Sequence, residues 1–454
     1  MVKVRNLNRN TRKVVSNVIN GVIIKGFAIL IGIFTIPAYI RYFEDNTTLG
    51  VWFTILSVLN WILSFDLGIG NGLRNRIVGT ISNNDEIGTR KYISSAYIFL
   101  FVVSIGMFSV IFIISQTIPW NKVFNISNQI INANDLKTAI IIVLLGIMLQ
   151  FILRLISSIL YALQESFIPN MLTLISNIIL LIFVTVSNKL GNNNNIIILA
   201  WVYLIAVNLP LLMATIVCFS TRLKTVIPSS HFFDIKYAID TLKVGSAFLG
   251  LQLEAMVINN TSIFLITWLL GSRYVVEYNV YFKVFSLVST VYSLITVPIW
   301  SAITKAKSEN DYKWIMKTTR VLQLIAVIFT VGQFVMFPVV QYVFNIWLGD
   351  KSFIVNYKIM ILFALEQGIM IWSGIYASIC NGLNEIKLQF VLMTAGACLI
   401  LPLTIMFTKI FHNYDGVILG HIIALFPYCI GQTLWLEWFM HKDKDKGKNV
   451  ESRG

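Results

Sequence analysis

The chain has 454 residues, of which 57% are hydrophobic and only 12% charged, and its mean hydropathy is +0.76. A soluble domain carries roughly 25% charged residues, so this composition excludes a disordered chain and argues strongly against a soluble enzyme. The net charge of +14 would suit a nucleic-acid partner, but its placement along the chain says otherwise.

A bilayer core about 30 Å thick is crossed by about 20 apolar helical residues. Twelve runs of that kind are predicted, at 17–39, 49–70, 92–114, 138–160, 168–187, 196–218, 244–270, 279–303, 321–345, 359–381, 388–408 and 416–440. The expected class is an all-α polytopic membrane protein. The first run follows Lys3, Arg5, Arg9, Arg12 and Lys13. It is too long for a signal peptide and has no small-residue cleavage site, so it reads as a retained first span.

With the N-terminus placed inside, the cytoplasmic segments hold 24 Lys and Arg, the outer loops 8 and the spans three. That asymmetry puts both termini in the cytoplasm. It also turns the basic excess into a topology signal and a surface for anionic headgroups rather than a nucleic-acid site.

Ionisable side chains inside spans are costly and normally face a wet cavity or a partner. In chain order they are Lys25, Asp66, Arg154, Glu254, Lys283 and Glu366. Lys25 shares a face with Gly21, Ala28 and Gly32, which suits a groove, although a lysine at that depth can also snorkel to the inner interface. Asp66 is near the interface, where it caps a helix or pairs with Arg74 or Arg76 at the cytoplasmic mouth. Arg154 stays charged at any depth and binds phosphate bidentately; the other reading is a structural ion pair with Glu165 or Asp66. Glu254 and Glu366 are each either proton-coupling carboxylates or structural partners. Lys283 is close enough to the outer side to snorkel or to line a cavity. Prolines 37, 210, 298, 338, 402 and 427 fall inside spans and permit bends.

The cysteines (Cys218, Cys380, Cys398, Cys429) form no C-x-x-C pair, and the four histidines are scattered. Neither a metal centre nor a cofactor is expected. The G-x-G-x-G at Gly68–Gly72 follows a membrane helix, not a β-strand, so it is no dinucleotide fingerprint. The chain holds no G-x-x-x-x-G-K-[ST] and no soluble stretch of ATPase size, so transport driven by ATP within this chain is not expected.

An internal duplication is visible. Ser158-Ile159 and Ala162-Leu163-Gln164-Glu165 match Ser378-Ile379 and Gly382-Leu383-Asn384-Glu385. Ser82, Asn84, Asp85 and Lys91 match Ser308, Asn310, Asp311 and Lys317. Six spans per half give a parallel repeat about an axis along the membrane normal. The expected organisation is a six-helix bundle at 1–218, a cytoplasmic linker at 219–243, a second six-helix bundle at 244–440 and a charged tail at 441–454.

The stretch FDLGIGNGLRNR, followed by ISNNDEIGTRKYISSAY, resembles the segment after the second helix of bacterial O-antigen and capsular-polysaccharide flippases, in the MATE-like exporter superfamily. Val276-Glu277-Tyr278-Asn279 with Lys283, and Asn381-Gly382-Leu383-Asn384-Glu385, are similar to that family too. The resemblance implies a MATE-like, non-enzymatic transporter of the bacterial cytoplasmic membrane. It would move undecaprenyl-pyrophosphate-linked oligosaccharides from inner to outer leaflet by alternating access, for O-antigen, lipopolysaccharide, capsule or exopolysaccharide assembly. Arg154 and Lys25 are the best matches for a cationic cavity lining, with Lys283 beside them. Polysaccharide polymerases and glycosyltransferases are the implied protein partners. A cation-coupled multidrug antiporter and a non-transporting scaffold of a polysaccharide-synthesis complex are the alternative functions.

Overall fold

A computed structural model describes residues 9–43, 45–64, 68–163, 165, 167–191, 195–308, 311–383, 385 and 387–451. All regular structure among them is helical. The helices are α1 (Arg9–Tyr42), α2 (Asn46–Ser64), α3 (Ile69–Ser82), α4 (Glu86–Thr117), the single turn α5 (Trp120–Val123), α6 (Ala133–Leu153), α7 (Leu155–Ala162), α8 (Phe167–Lys189) and α9 (Ile196–Thr221). They continue with α10 (Ile235–Leu270), α11 (Arg273–Ser308), α12 (Tyr312–Val335), α13 (Phe337–Leu348), α14 (Tyr357–Leu383), α15 (Lys387–Phe411) and α16 (Asp415–Glu451).

Eleven of the twelve apolar runs fall on these helices, with α6–α7 and α12–α13 each making up one run; the run at 49–70 covers α2 and the start of α3, and its residues 65–67 lie outside the described residues. Nine helices among the described residues are long and apolar enough to cross a bilayer. Two shorter apolar stretches, Gly26–Tyr42 and Met256–Leu270, add to them. Their outward surfaces are apolar: on α4, Phe101, Val102, Ile105, Val110 and Ile113 are all more than half exposed. A surface of that kind is stable only in hydrocarbon. The chain is a multi-pass, all-helical membrane protein.

Two compact units are present, Met1–Met256 with Gly271–Arg273, and Val257–Leu270 with Tyr274–Gly454. In the first, α1 packs on α8, α6 on α9, and α4 on α3 and α6. Its core joins Ile69, Leu73 and Ile77 of α3 to Ile93 and Leu100 of α4 and Leu155, Ile156 and Ile159 of α7. Residues 219–243 fold onto α4, where the hydroxyl oxygens of Ser94 and Ser95 accept from the amides of Ser229 (3.1 Å) and Asp234 (3.0 Å). In the second unit α15 and α16 form a hairpin and α14 packs on α12 and α16. Tyr292, Ile315, Leu322, Ile375, Tyr376 and Leu436 are buried in its core.

The duplicated sequence signals have the same local geometry. Asp85 caps α4 by accepting from the Gly88 amide at 2.8 Å, and Asp311 caps α12 by accepting from the Trp314 amide at 3.0 Å. The preceding turns close alike, with Asp85 N–H donating to Thr80 and Asp311 N–H to Ala306, both at 2.9 Å. In the other matched pair Glu165 N–H donates to Leu160 and Glu385 N–H to Cys380, again both at 2.9 Å. Each aspartate satisfies an amide that a helix start would otherwise leave open.

Two spans are interrupted. At Met336 the helix ends before Pro338, which has no N–H to continue the ladder. At Arg154 the turn tightens, and Ser157 N–H donates to the Arg154 carbonyl at 3.0 Å in an i+3 bond. Expected as a loop, residues 71–82 instead form most of α3.

The G-x-G-x-G has a steric purpose. Gly68 is left-handed at φ 70°, a conformation that favours glycine. A Cβ on Gly68 would lie 2.2 Å from the Gly245 carbonyl oxygen, and one on Gly72 would lie 2.1 Å from that of Thr241. Backbone therefore meets backbone where α3 docks on α10.

Candidate functional site

α3, α4 and the α6–α7 junction enclose a cavity of about 160 Å³ in the first unit. Arg74 and Arg154 both line it, together with Gly70, Asn71, Leu100, Phe151, Leu155, Ser157, Ser158 and Tyr161. Ile69, Leu73 and Ile77 bury one face of α3 in the core, which turns Arg74 to the open side. Its guanidinium lies 5.3 Å from the centre of the Tyr161 ring, a cation–π distance. Arg154 sits at the tightened turn, and Ser157, Ser158 and Tyr161 follow at i+3, i+4 and i+7 on one helical face.

No carboxylate among the described residues forms a salt bridge with Arg74 or Arg154. Gly70 and Asn71 belong to the first turn of α3, whose amides have no intrahelical acceptors. Two guanidiniums without a salt-bridge partner among the described residues, the Ser157, Ser158 and Tyr161 hydroxyls and the Asn71 amide thus line one space beside the first turn of α3. Groups of that kind are donors suited to an oxyanion such as a phosphate.

The other expected site residues have separate fates. Arg76 forms a 2.5 Å salt bridge to Asp240 of α10, and the Tyr92 hydroxyl donates to the same carboxylate at 2.7 Å. Arg76 is thereby committed to holding α3 and α4 against α10. Glu165 pairs with Arg222 rather than with Arg154. Asp66 and the side chain of Lys25 lie outside the described residues. Glu254 is 7% exposed, in the first unit. Lys283 is half-buried on α11 in the second unit.

Glu366, 2% exposed on α14, hydrogen-bonds to Nδ1 of His421 on α16. Glu366 Oε2 and His421 Nε2 are buried without a hydrogen-bond partner among the described residues. Beside them Gln367 accepts from the Ser289 hydroxyl at 2.6 Å. Elsewhere in this unit Lys358 pairs with Asp415 at 2.8 Å, and the Tyr414 hydroxyl donates to Glu277 at 2.7 Å. Burial, reinforced by the Glu277 carboxylate, pushes the Tyr414 hydroxyl far above the ordinary tyrosine range.

Sequence reasoning missed Tyr161, Asn71 and His421 as site residues. Tyr161 was detectable as the i+7 neighbour of Arg154. His421 was detectable as a lone polar residue in an apolar span, but its partner is 55 positions away.

No family model matches the chain. In sequence it is similar to a putative O-antigen export protein of Yersinia pseudotuberculosis, 23% identical over 342 residues, covering 74% of this chain and 76% of the relative. It is also similar to a putative O-antigen transporter of Salmonella typhi, 21% identical over 380 residues, covering 82% and 84%. Among solved structures, an inward-facing multidrug resistance MATE family transporter of the MOP superfamily superposes with a TM-score of 0.74 at 14% identity, covering 91% of this chain and 96% of the other. The lipid II flippase MurJ in an inward closed conformation also gives 0.74, at 17% identity, covering 92% and 87%. The chain has the fold of these two transporters. The two fold likenesses each run over more than nine-tenths of this chain, so they include both its units.

Proposed function

We propose that the chain is a flippase for polyprenyl-pyrophosphate-linked oligosaccharide repeat units, undecaprenyl being the carrier, and that it delivers them from the inner to the outer leaflet of the bacterial cytoplasmic membrane for surface-polysaccharide assembly. The observation that carries this reading is the Arg74–Arg154 cavity, which offers a phosphate group two guanidiniums that have no salt-bridge partner among the described residues, beside the first turn of α3. The sequence relatives named as O-antigen exporters support it, as does the likeness in fold to a lipid II flippase. No step breaks a covalent bond, so the protein acts as a transporter and not as an enzyme.

A pyrophosphate headgroup carries about two negative charges. Moving each one outward across 100 mV, interior negative, is favourable by about 2.3 kcal/mol. Transport therefore needs a shelter for the headgroup more than a separate energy source. Arg74 and Arg154 grip the phosphates, Ser157, Ser158 and Asn71 complete their hydrogen bonds, and the polyprenyl chain stays in lipid. Both termini face the cytoplasm in this reading, which puts Arg74 at the cytoplasmic entrance. The two six-helix halves, 1–218 and 244–440, alternate access about the headgroup, and Lys25 and Lys283 extend the cationic lining. If protons are coupled to the cycle, Glu254, Asp66 and the Glu366–His421 pair are the groups to carry them. A drug antiporter of cations is disfavoured by these two arginines, which have no salt-bridge partner among the described residues.

The test is complementation of a deletion strain. Arg154→Ala and Arg74→Ala should each reach the membrane at normal levels yet export about 10-fold less surface polysaccharide, the loss expected for one charge-assisted contact of about 1.5 kcal/mol. Lipid-linked repeat units should accumulate inside. Unaltered export by both variants overturns the assignment, and a deletion that changes only drug susceptibility favours the antiporter.

A further inference from the structure

A second built feature lies wholly within the second unit and takes no part in the function proposed above. On α12, residues 316, 319, 320 and 323 line one cavity of about 210 Å³, and 327, 330 and 331 line another of about 480 Å³. The spacing of three and four keeps all of them on one helical face. The same succession holds on the neighbours: Tyr376 and Trp372 are one turn apart on α14, as are Glu437 and Thr433 on α16. The two cavities are therefore successive stretches of one seam between α12, α14 and α16, about 6 Å further along for each turn.

Their chemistry changes sharply from one stretch to the next. The smaller is mixed, with Arg320, Gln323, Tyr376 and Glu437 on its wall beside Met316 and Leu436. The larger is almost wholly apolar, with Val327, Val331, Leu365 and Phe426 among its walls. Trp372 Nε1 donates to Thr433 Oγ1 at 3.1 Å, which places the indole at the change-over. One turn away, Gln323 Nε2 donates to the Tyr376 hydroxyl at 2.8 Å. The smaller cavity lies toward the start of α12, whose first two turns carry Lys313 and Lys317.

Arg320 and Glu437 are both exposed, and neither has a salt-bridge partner among the described residues. Among the described residues the Arg320 guanidinium donates only to the Met316 sulfur, at 3.8 Å. A cavity offering one free cation and one free anion above an apolar trough complements a zwitterionic lipid.

We propose that the α12–α14–α16 seam is a specific binding site for one phospholipid whose headgroup carries both a phosphate and a primary ammonium, the phosphatidylethanolamine class. The phosphate meets Arg320, the ammonium meets Glu437, and an acyl chain fills the trough beyond Trp372. A choline headgroup loses the N–H donors that Glu437 accepts, and a glycerol headgroup loses the positive charge.

The test uses the full-length protein in detergent, delipidated and then offered phosphatidylethanolamine, phosphatidylcholine or phosphatidylglycerol of identical acyl chains. Retained lipid is counted by native mass spectrometry. Phosphatidylethanolamine should be retained about fivefold over phosphatidylglycerol, the upper range for one exposed charge pair. Glu437→Gln should abolish that preference, Arg320→Ala should weaken retention of all three, and Val331→Trp should block the trough whatever the headgroup. Equal retention of the three lipids, or retention untouched by all three substitutions, overturns the site and leaves only annular lipid. A preference for phosphatidylglycerol overturns it as well. Because Arg320, Glu437 and Val331 are exposed, loss of fold does not confuse the outcome, and monodisperse elution of each variant verifies this.

Discussion

Gly72→Ala and Gly79→Ala place the same substitution on the same helix and should have opposite effects. A Cβ at Gly72 would start 2.1 Å from the Thr241 carbonyl oxygen, whereas real Cβ atoms keep at least 3.0 Å, so α3 and α10 must part by about 0.9 Å. Both sides of that contact are backbone, and no rotamer change relieves it. Overpacking of this kind costs about 1–3 kcal/mol, with this site at the upper end. A Cβ at Gly79 meets nothing within 4 Å, and alanine there gains up to about 1 kcal/mol of helix propensity. The difference, about 4 kcal/mol, corresponds to a gap on the order of 8 °C or more in the thermal midpoint of a unit of roughly 250 residues. Thermal unfolding of the detergent-purified variants, read by tryptophan fluorescence, measures it. Since the seam also sets Arg76 against Asp240, Gly72→Ala should weaken that bridge as well. Equal midpoints for the two variants would refute the backbone contact and, with it, the steric account of the G-x-G-x-G.

Further substitutions separate architecture from transport. Asp85→Ala and Asp311→Ala each remove a helix cap and should each cost about 1 kcal/mol; unequal losses would argue that the two turns are not equivalent. His421→Leu leaves Glu366 buried without its partner and should lower the thermal midpoint by an amount matching about 1–3 kcal/mol. Adding Glu366→Leu should restore much of that loss, and full additivity of the two substitutions would deny the pairing. Arg76→Ala should lower stability by no more than about 1 kcal/mol, because its bridge is partly exposed, and should leave phosphate binding by the cavity intact. Arg74→Ala should do the reverse, with binding of inorganic pyrophosphate to the purified protein as the readout.

The long helices were legible in the sequence because a bilayer imposes both a length and a composition on whatever crosses it. The runs at 92–114 and 196–218 correspond to α4 and α9 for that reason alone. α3 was not legible: its apolar residues occupy one face only, and its polar remainder, with Arg74, Asn75 and Arg76, reads as a loop. Arg154 was recognisable as an intramembrane cation, but its junction position was not, since no proline or glycine marks the tightened turn. Arg74 and Arg76 are two residues apart and were indistinguishable in one dimension. The helical period separates them, sending one to the cavity and the other to Asp240. The Glu366–His421 pair depends on the register between two helices, which spacing along the chain does not encode.

The meeting of Gly68, Gly72 and Gly245 is made of main-chain atoms, and main-chain atoms do not titrate, oxidise or respond to ionic strength. The glycine contact beneath Arg74 therefore does not loosen with acid or salt, whereas the partly exposed Arg76–Asp240 bridge beside it does. A change of pH or salt thus reaches α3 through its side chains and not through its glycine seat.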